Sequence, residues 1–374
     1  MNDQHGVLTL NVGSATVKAA HFQCDRDGDL APADRARISV LPEDEGDVRS
    51  ADRWLAGLRH QLPAGAGQPR VVAHRVVHGG GRINPVAVTD AVMTELTALA
   101  ALAPLHQGPA LRLINAARLQ WPEVPQIAVF DTSWHATLAP WARRLPLPAA
   151  LHAAGVMRYG FHGLAFASST RQLSVLAPEL ARARLVLVHL GGGSSLCAVA
   201  DGRSVDTSMG MTPLDGVPMA TRCGSLDPGV ILYLVQHLKM PLPQLEHLLW
   251  NESGLRGLSG GSGDMRELLA DASETAVLAR ELYVHRVAQA IVAMATSAGG
   301  LDAIVFSGGI GEGAALIRAQ VAERLGWTGL VLDPAANAIS AEQINATASA
   351  VSAFVIHVDE EAELALAALA FRPQ

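Results

Sequence analysis

Twice along this chain an apolar run breaks into a short turn of small residues and re-emerges as a second apolar run. The first instance is Val7–Val12, the turn Gly13-Ser14-Ala15-Thr16, and Val17–Phe22. The second is Leu185–Leu190, then Gly191-Gly192-Gly193-Ser194-Ser195, then Leu196–Ala200. Short apolar runs bounded by Gly/Ser clusters are strand–turn–strand units. Their recurrence about half a chain apart points to two similar α/β halves. Adjacent glycines also leave backbone N–H groups free to converge on an anion, a way of holding phosphate without a side chain.

The remaining elements fit that layout. Val71–Val77 is a β-branched run ending at His78-Gly79-Gly80-Gly81, and Ile127–Phe130 is a buried strand ending at Asp131. Helices are predicted over 91–103 and 111–121, separated by the Pro104–Pro109 stretch. Residues 25–50 read as solvated connections with one strand at 38–41. Prolines 140, 146 and 148 mark 139–155 as the region between domains. In the second half, Asp227-Pro228 is a helix start, with a capping side chain and proline at the first position. A long helix is predicted over 274–298, stopped by Gly299-Gly300. The strand 303–306 opens into Gly308–Gly313, followed by a helix over 314–325, a strand over 355–358 and a closing helix over 360–371.

Composition narrows the partners. The 374 residues carry a net charge of −7, which argues against nucleic acid, since phosphate-backbone binding wants a basic face. Three cysteines without metal-ligand spacing fit a reducing cytoplasm. No apolar run approaches the length of a membrane span, and the N-terminus has no secretory pattern. A cytoplasmic protein without a membrane partner is expected.

Neither common phosphate fingerprint fits. The first turn lacks Walker spacing and leads into a strand, not a helix, and Gly191–Gly193 likewise fails the dinucleotide pattern. The motifs instead resemble, in order and over nearly the whole chain, the acetate/propionate kinase family within the actin-like, sugar-kinase and Hsp70-type ATPase superfamily. They include LNVGSATVK (10–18), HRVVHGG (74–80), APLH (103–106), VFDTSWH (129–135), RYGFHG (158–163), HLGGGSS (189–195), TRCGSLDPG (221–229), VFSGGIGEG (305–313) and VDEE (358–361). The resemblance implies two RNase-H-like domains flanking a central cleft, a homodimer, and Mg²⁺-dependent transfer (Mn²⁺ as a substitute) between ATP and a short-chain carboxylate. The expected division is 1–138 plus 361–374 against 139–360, with most nucleotide contacts and the dimer interface in the latter.

A carboxylate acceptor is already ionised, so no general base is required; the difficulty is bringing two anions together. Such a site wants Arg, His, Mg²⁺ and backbone donors. By resemblance Arg75 and Arg222 reach the acceptor and the transferred group, and His162 donates to the phosphoryl in flight. Asp131 is read as orienting an arginine and the metal's water shell. Asn11 and Glu360 are the candidates for Mg²⁺, with Glu361 adjacent and able to exchange roles. The expected nucleotide contacts are Ser14, Thr16 and Lys18; His189, Leu190, Gly191, Gly192 and Gly193; Asp264, Met265 and Arg266; and Gly309, Ile310, Gly311, Glu312 and Gly313. Val77, Leu105, Phe161 and Pro213 would line the acyl pocket, although all four suit an ordinary core.

Several positions depart from the family pattern: Gly192 for Asn, Ala15 for Ser, Gly313 for Asn, Gln107-Gly108 for Asn-Pro, and Ser225-Leu226 in place of an acidic residue. Losing polar phosphate contacts while keeping backbone donors implies weaker nucleotide affinity or altered acyl preference. Acetate is the expected acceptor; alternatives are propionate or another short-chain carboxylate, or a non-catalytic actin-like nucleotide-binding protein. A hydroxyl-acceptor kinase fits least, because Asn11 stands where sugar kinases carry Asp.

Overall fold

The computed structural model describes residues 5–13, 16–24, 30–31, 34–40, 47, 49–62 and 68–371. These form two compact units: the first takes 1–136, 161–168 and 359–374, the second 137–160 and 169–358. Residues 161–168 and 359–360, given to the second domain by the sequence, fall in the first unit, and 137–138, given to the first, fall in the second. The reason is packing: Leu164, Leu364 and Ala368 share a core with Ala73, Ile127 and Val129.

The first unit holds β1 (His5–Val12), β2 (Thr16–Cys24), β3 (Asp34–Ser39), β4 (Val71–Val76), β5 (Val86–Ala87) and β6 (Gln126–Phe130) in the order β3-β2-β1-β4-β6-β5. Strands β1–β3 form an antiparallel meander, and β4 and β6 run parallel to β1. The second unit repeats the scheme with β7 (Leu185–Leu190), β8 (Ser194–Ala200), β9 (Arg203–Thr207), β10 (Ala303–Ser307) and β11 (Ser352–Val355), ordered β11-β10-β7-β8-β9. Here β7–β9 are the meander and β10 and β11 the parallel additions. The strand–turn–strand repeat read from the sequence is thus the first hairpin of each duplicated sheet.

Parallel strands buried on both faces require near-continuous apolar runs, and β10 is buried at all five positions. The helix Glu274–Ala298 has the predicted bounds: Ser273 accepts from the Ala276 N–H at its start, and Gly299, at φ 78°, ends it. Tyr283, Val287 and Ile291 on that helix pack into the core with Val186, Val188 and Leu196. Asp227 caps the helix Pro228–Gln236 as expected.

Several sequence expectations need correction, the last strand among them: it is β11, Ser352–Val355, and not 355–358. A single helix runs Pro104–Gln120, with Pro109 inside it. Pro104 is well placed at its start, and Gln107 ties the following turn down by donating to the carbonyls of His78 and Leu96. Residues 308–313 are themselves a short helix. The strand expected over 38–41 is β3, Asp34–Ser39, and Leu41 lies outside the described residues.

Candidate active site

In the first unit, register brings the chemistry together. Leu10 pairs with His74 and Arg75 with Val129 across the parallel strands. Asn11, Arg75 and Asp131 therefore stand near one another at the carboxyl ends of β1, β4 and β6, the usual place for ligands in such sheets. Arg75 Nε lies 3.2 and 3.1 Å from the two oxygens of Asp131, and Nη2 donates to Oδ2 at 2.7 Å. Its Nη1 donates to Asn11 Oδ1 at 3.1 Å and stands 3.3 Å from Glu360 Oε2. The Asn11 amide then donates to Glu360 Oε2 at 2.9 Å and Glu361 Oε1 at 3.0 Å.

Burial works against the charge of Arg75, but Asp131, Glu360 and Glu361 outweigh it and hold the guanidinium above its ordinary pKa. For Asp131, burial pushes the carboxyl up; Arg75 and the Leu164 N–H pull it back. That N–H belongs to the first turn of the helix Gly163–Leu176, entered through His162. His162 is half-buried and has φ 58°, a backbone region uncommon for residues other than glycine.

The sequence missed the outer part of this network. Arg35 pairs with Asp359 (Nη2–Oδ2 2.5 Å) and Glu361 (3.4 Å), and Lys18 lies 3.8 Å from Glu361. Lys18, expected at phosphate, is here a carboxylate partner. Thr16 sits at the start of β2, its carbonyl accepting from the Gly13 N–H, and Ser14 lies outside the described residues. Val77 and Phe161 are buried, Leu105 half-buried, and Phe161 meets His78 edge-on at 5.4 Å. His135 fixes the Phe161 carbonyl at 3.0 Å.

In the second unit Ser307 pairs with His189, so the turns after β7 and β10 emerge side by side. His189 Nδ1 lies 3.1 Å from Ser307 Oγ. Gly308, at φ 77°, packs so closely that a Cβ there would stand 2.6 Å from the Leu190 carbonyl oxygen. The Gly192 carbonyl accepts from the Ala220 N–H at 3.3 Å, and Gly263 packs against the Ala220 backbone. Gly191–Gly193, Gly309–Gly313 and Asp264 are thus neighbours.

Not every side chain predicted for the nucleotide faces outward. Leu190, Met265 and Ile310 belong to the hydrophobic core, so only their backbones can reach a ligand; the apolar side chains follow the core-facing period of their elements. Arg266 is exposed and paired with Asp264, Nη2–Oδ2 2.5 Å. Glu312 is engaged twice, by the Gly308 N–H at 2.8 Å and His357 Nδ1 at 2.7 Å. Arg222 is buried, donates to the Pro213 carbonyl at 3.1 Å, and burial pushes its pKa down to about 10.

A duplicated sheet with glycine turns at parallel strand ends is the layout of two-domain actin-like ATPases, a phosphoryl-transfer class. The chain matches the Acetokinase family model over residues 57–366. It is 47% identical to the acetate kinase of Methylocella silvestris, covering 98% of each chain, and 47% identical to that of Rhodopseudomonas palustris, covering 96% of each. Its structure is similar to a propionate kinase from Francisella tularensis (TM-score 0.82, 31% identity, 98% and 99% of the chains covered). It is also similar to the acetate kinase of Porphyromonas gingivalis (TM-score 0.81, 29% identity, 98% and 99% covered). The chain belongs to the acetokinase family, kinases that transfer phosphate between ATP and a carboxylate.

Proposed function

We propose that the acceptor is acetate, and that phosphoryl transfer from ATP gives ADP and acetyl phosphate, reversibly, by direct in-line attack. The observation carrying this reading is the commitment of Asp131. Both its oxygens are taken by Arg75, and the Leu164 amide adds a further donor. A kinase acting on an alcohol needs a carboxylate to accept the hydroxyl proton. Acetate brings no such proton, and a carboxylate locked to an arginine suits it.

In this reading Arg75 and Arg222 contact oxygens of the acceptor and the transferred group, for which the planar guanidinium fork is well shaped. His162 donates to the phosphoryl in flight, and Asp131 holds Arg75. The backbones of 189–193 and 309–313 take the phosphates, with Thr16 and Ser14 assisting and Asp264 and Arg266 toward adenine and ribose. Val77, Leu105, Phe161 and Pro213 receive the methyl group. One methylene is worth only about 1–3 kcal/mol of discrimination, so propionate is the natural competitor.

Asn11 and Glu360 are proposed to hold Mg²⁺. They offer oxygen donors only, and Mg²⁺ takes one or two carboxylates, keeping waters and substrate phosphates for the rest. Among the described residues no three His, Cys, Asp or Glu side chains group as a metal cage, and this proposal needs none. Glu361 is the less available carboxylate: its side chain is 8% exposed and already answered by Arg35 and Lys18. Bound Mg²⁺ would neutralise phosphate oxygens that otherwise repel the acceptor.

A homodimer in the cytoplasm completes the proposal. The helix Pro228–Gln236 has no buried residue, and Leu232, Tyr233, Leu238 and Leu242 are more than half exposed. An apolar surface of that kind is suited to a second copy. None of the three cysteines is in a disulfide, which suits a reducing compartment.

The test is a hydroxamate trap for acyl phosphate, run with ATP and acetate, propionate or butyrate. Acetate should give the highest kcat/KM. ATP binding without acyl phosphate from any acid would defeat the proposal, and a monomer by light scattering would defeat the dimer.

A further inference from the structure

Arg75 and Arg222 are held in different ways. Carboxylates grip Arg75, which fixes it but also offsets its charge. Arg222 is 5% exposed and lies with its guanidinium carbon 5.4 Å from the ring centroid of Trp250, itself 6% exposed. Its Nη1 donates to the Pro213 carbonyl and lies 3.7 Å from Met219 Sδ. An aromatic face attracts a cation through its quadrupole without cancelling its charge.

The backbone centres Arg222 on that ring. Trp250 closes the helix Leu242–Asn251. Thr221, just before Arg222, donates from Oγ1 to the Trp250 carbonyl at 2.8 Å; Cys223, just after it, donates its N–H to the Leu249 carbonyl at 3.2 Å. Behind the loop, Gly254 at φ 60° has no room for a Cβ, which would stand 2.5 Å from the Arg222 carbonyl oxygen. Both flanks of Arg222 are therefore tied to the helix end that presents the indole.

We propose that Trp250 is a positioning residue for the reaction, its indole face holding the Arg222 guanidinium in the orientation that meets the reacting anions while leaving its charge intact. This rests on the reading that Arg222 acts in phosphoryl transfer. Trp250 itself touches no substrate.

The experiment measures kcat, both KM values and the melting temperature for Trp250→Phe, Trp250→Met and Trp250→Leu, each with Arg222 and with Arg222→Lys. A cation–π contact in a desolvated site predicts a roughly tenfold fall in kcat for Trp250→Leu and Trp250→Met, with Trp250→Phe recovering most of it. KM for ATP should stay within about twofold on the same ground. With Arg222→Lys, which has no plane to stack, Trp250→Leu should cost roughly threefold or less. Equal losses in both backgrounds with a lowered melting temperature would reduce Trp250 to packing and overturn the inference. If Trp250→Leu is unstable, the ratio of Trp250→Met to Trp250→Phe decides, since methionine keeps bulk without the ring. Unchanged kcat in the Trp250 variants alongside an inactive Arg222→Ala would overturn the inference alone. An active Arg222→Ala would overturn the underlying reading and the inference with it.

Discussion

Gly163 presses on Asp131: a Cβ at position 163 would overlap the Asp131 carbonyl oxygen and stand 2.7 Å from Trp134 Cβ. Its backbone does not need glycine's left-handed freedom, since the positive φ falls on His162 and not on Gly163. Glycine is required here for space. The close approach lets the next residue, Leu164, aim its N–H at the Asp131 carboxylate. Gly163→Ala should therefore push His162 and Leu164 off the strand end, costing about 1–3 kcal/mol as overpacking does. Turnover should fall more than stability, by at least about tenfold if the displaced groups act on the transition state. Thermal melts and kcat measured on one preparation check the disparity; a stable variant of ordinary activity would show that the approach is dispensable.

Asp131→Asn separates two roles for that carboxylate. The amide keeps an acceptor for Arg75 but turns an NH₂ toward a donor. Breaking one side of a buried ion pair costs about 3–5 kcal/mol, and an unmoored Arg75 should lower kcat by roughly a hundredfold. Because Asp131 is proposed to hold Arg75 and not to take a proton, the acidic limb of the pH–rate profile should keep its midpoint. Loss of that limb in the variant would make Asp131 a base.

Among the described residues Arg318 is the largest fully buried side chain. Its guanidinium donates to the carbonyls of Gly311 (2.8 Å), Glu312 (2.9 Å) and Asn337 (2.7 Å), to Asn337 Oδ1 (2.8 Å) and to Ser340 Oγ (3.0 Å). It thereby clamps the end of the glycine helix 308–313. Arg318→Met should strand those carbonyls at about 1–3 kcal/mol for each one left unsatisfied, lowering the melting temperature. KM for ATP should rise several-fold with KM for acetate unchanged. A rise in the acetate constant alone would remove the clamp from the nucleotide side.

Much of this was legible in the sequence, and the rest was hidden for identifiable reasons. The glycine turns, the buried strands and the helix 274–298 follow from period and punctuation. Asn11, Arg75, Asp131 and Glu360 sat in motifs; strand register brought the first three together, and Glu360 meets Asn11 and Arg75 from the start of the last helix. Arg35 and Asp359 were invisible because a charged residue in a charged stretch reads as solvated until its partner, over 300 residues away, is known. The continuous helix 104–120 was obscured by Pro109, whose local preference is overridden by the anchoring of Gln107. Arg318 and Trp250 follow ordinary helical spacing, so nothing local distinguishes a clamp from a core or surface residue. Side-chain direction also eluded the motif reading at Met265 and Ile310, which face the core.

His74 gives a pH signature. It lies within β4, bonded to Gln126 at 2.7 Å, and burial lowers its pKa to about 4 from 6.5. The folded state thus takes up the proton later than the unfolded state. Stability from this group is intact above pH 6.5 and falls as pH drops toward 4, since the unfolded chain binds the proton first. The full difference is about 3 kcal/mol. Urea midpoints across pH 7 to 4 should decline more steeply for wild type than for His74→Asn. Parallel curves would mean that His74 is not held neutral.

Gly192→Asn supplies the polar side chain that the family resemblance leads one to expect in the turn after β7. The position can take it: no atom lies within 4 Å of a Cβ built there, and its φ is not in the positive range. The neighbouring contacts are carried by backbone, with the Gly192 carbonyl accepting from the Ala220 N–H and a Ser194 hydroxyl next to the Gly191 N–H and carbonyl. An added amide should therefore leave the turn in place and offer a new donor to phosphate. One hydrogen bond to a charged group is worth about 1.5–3 kcal/mol at best, and an exposed turn recovers only part of that. KM for ATP should fall roughly threefold to tenfold, with kcat and the acetate constant near wild type, because a contact made equally in ground and transition states changes binding alone. Gly313→Asn, likewise in open space, supplies the control: a fall of KM at 192 but not at 313 assigns the missing phosphate contact to the turn after β7. No change at either position would mean that backbone donors already saturate the nucleotide.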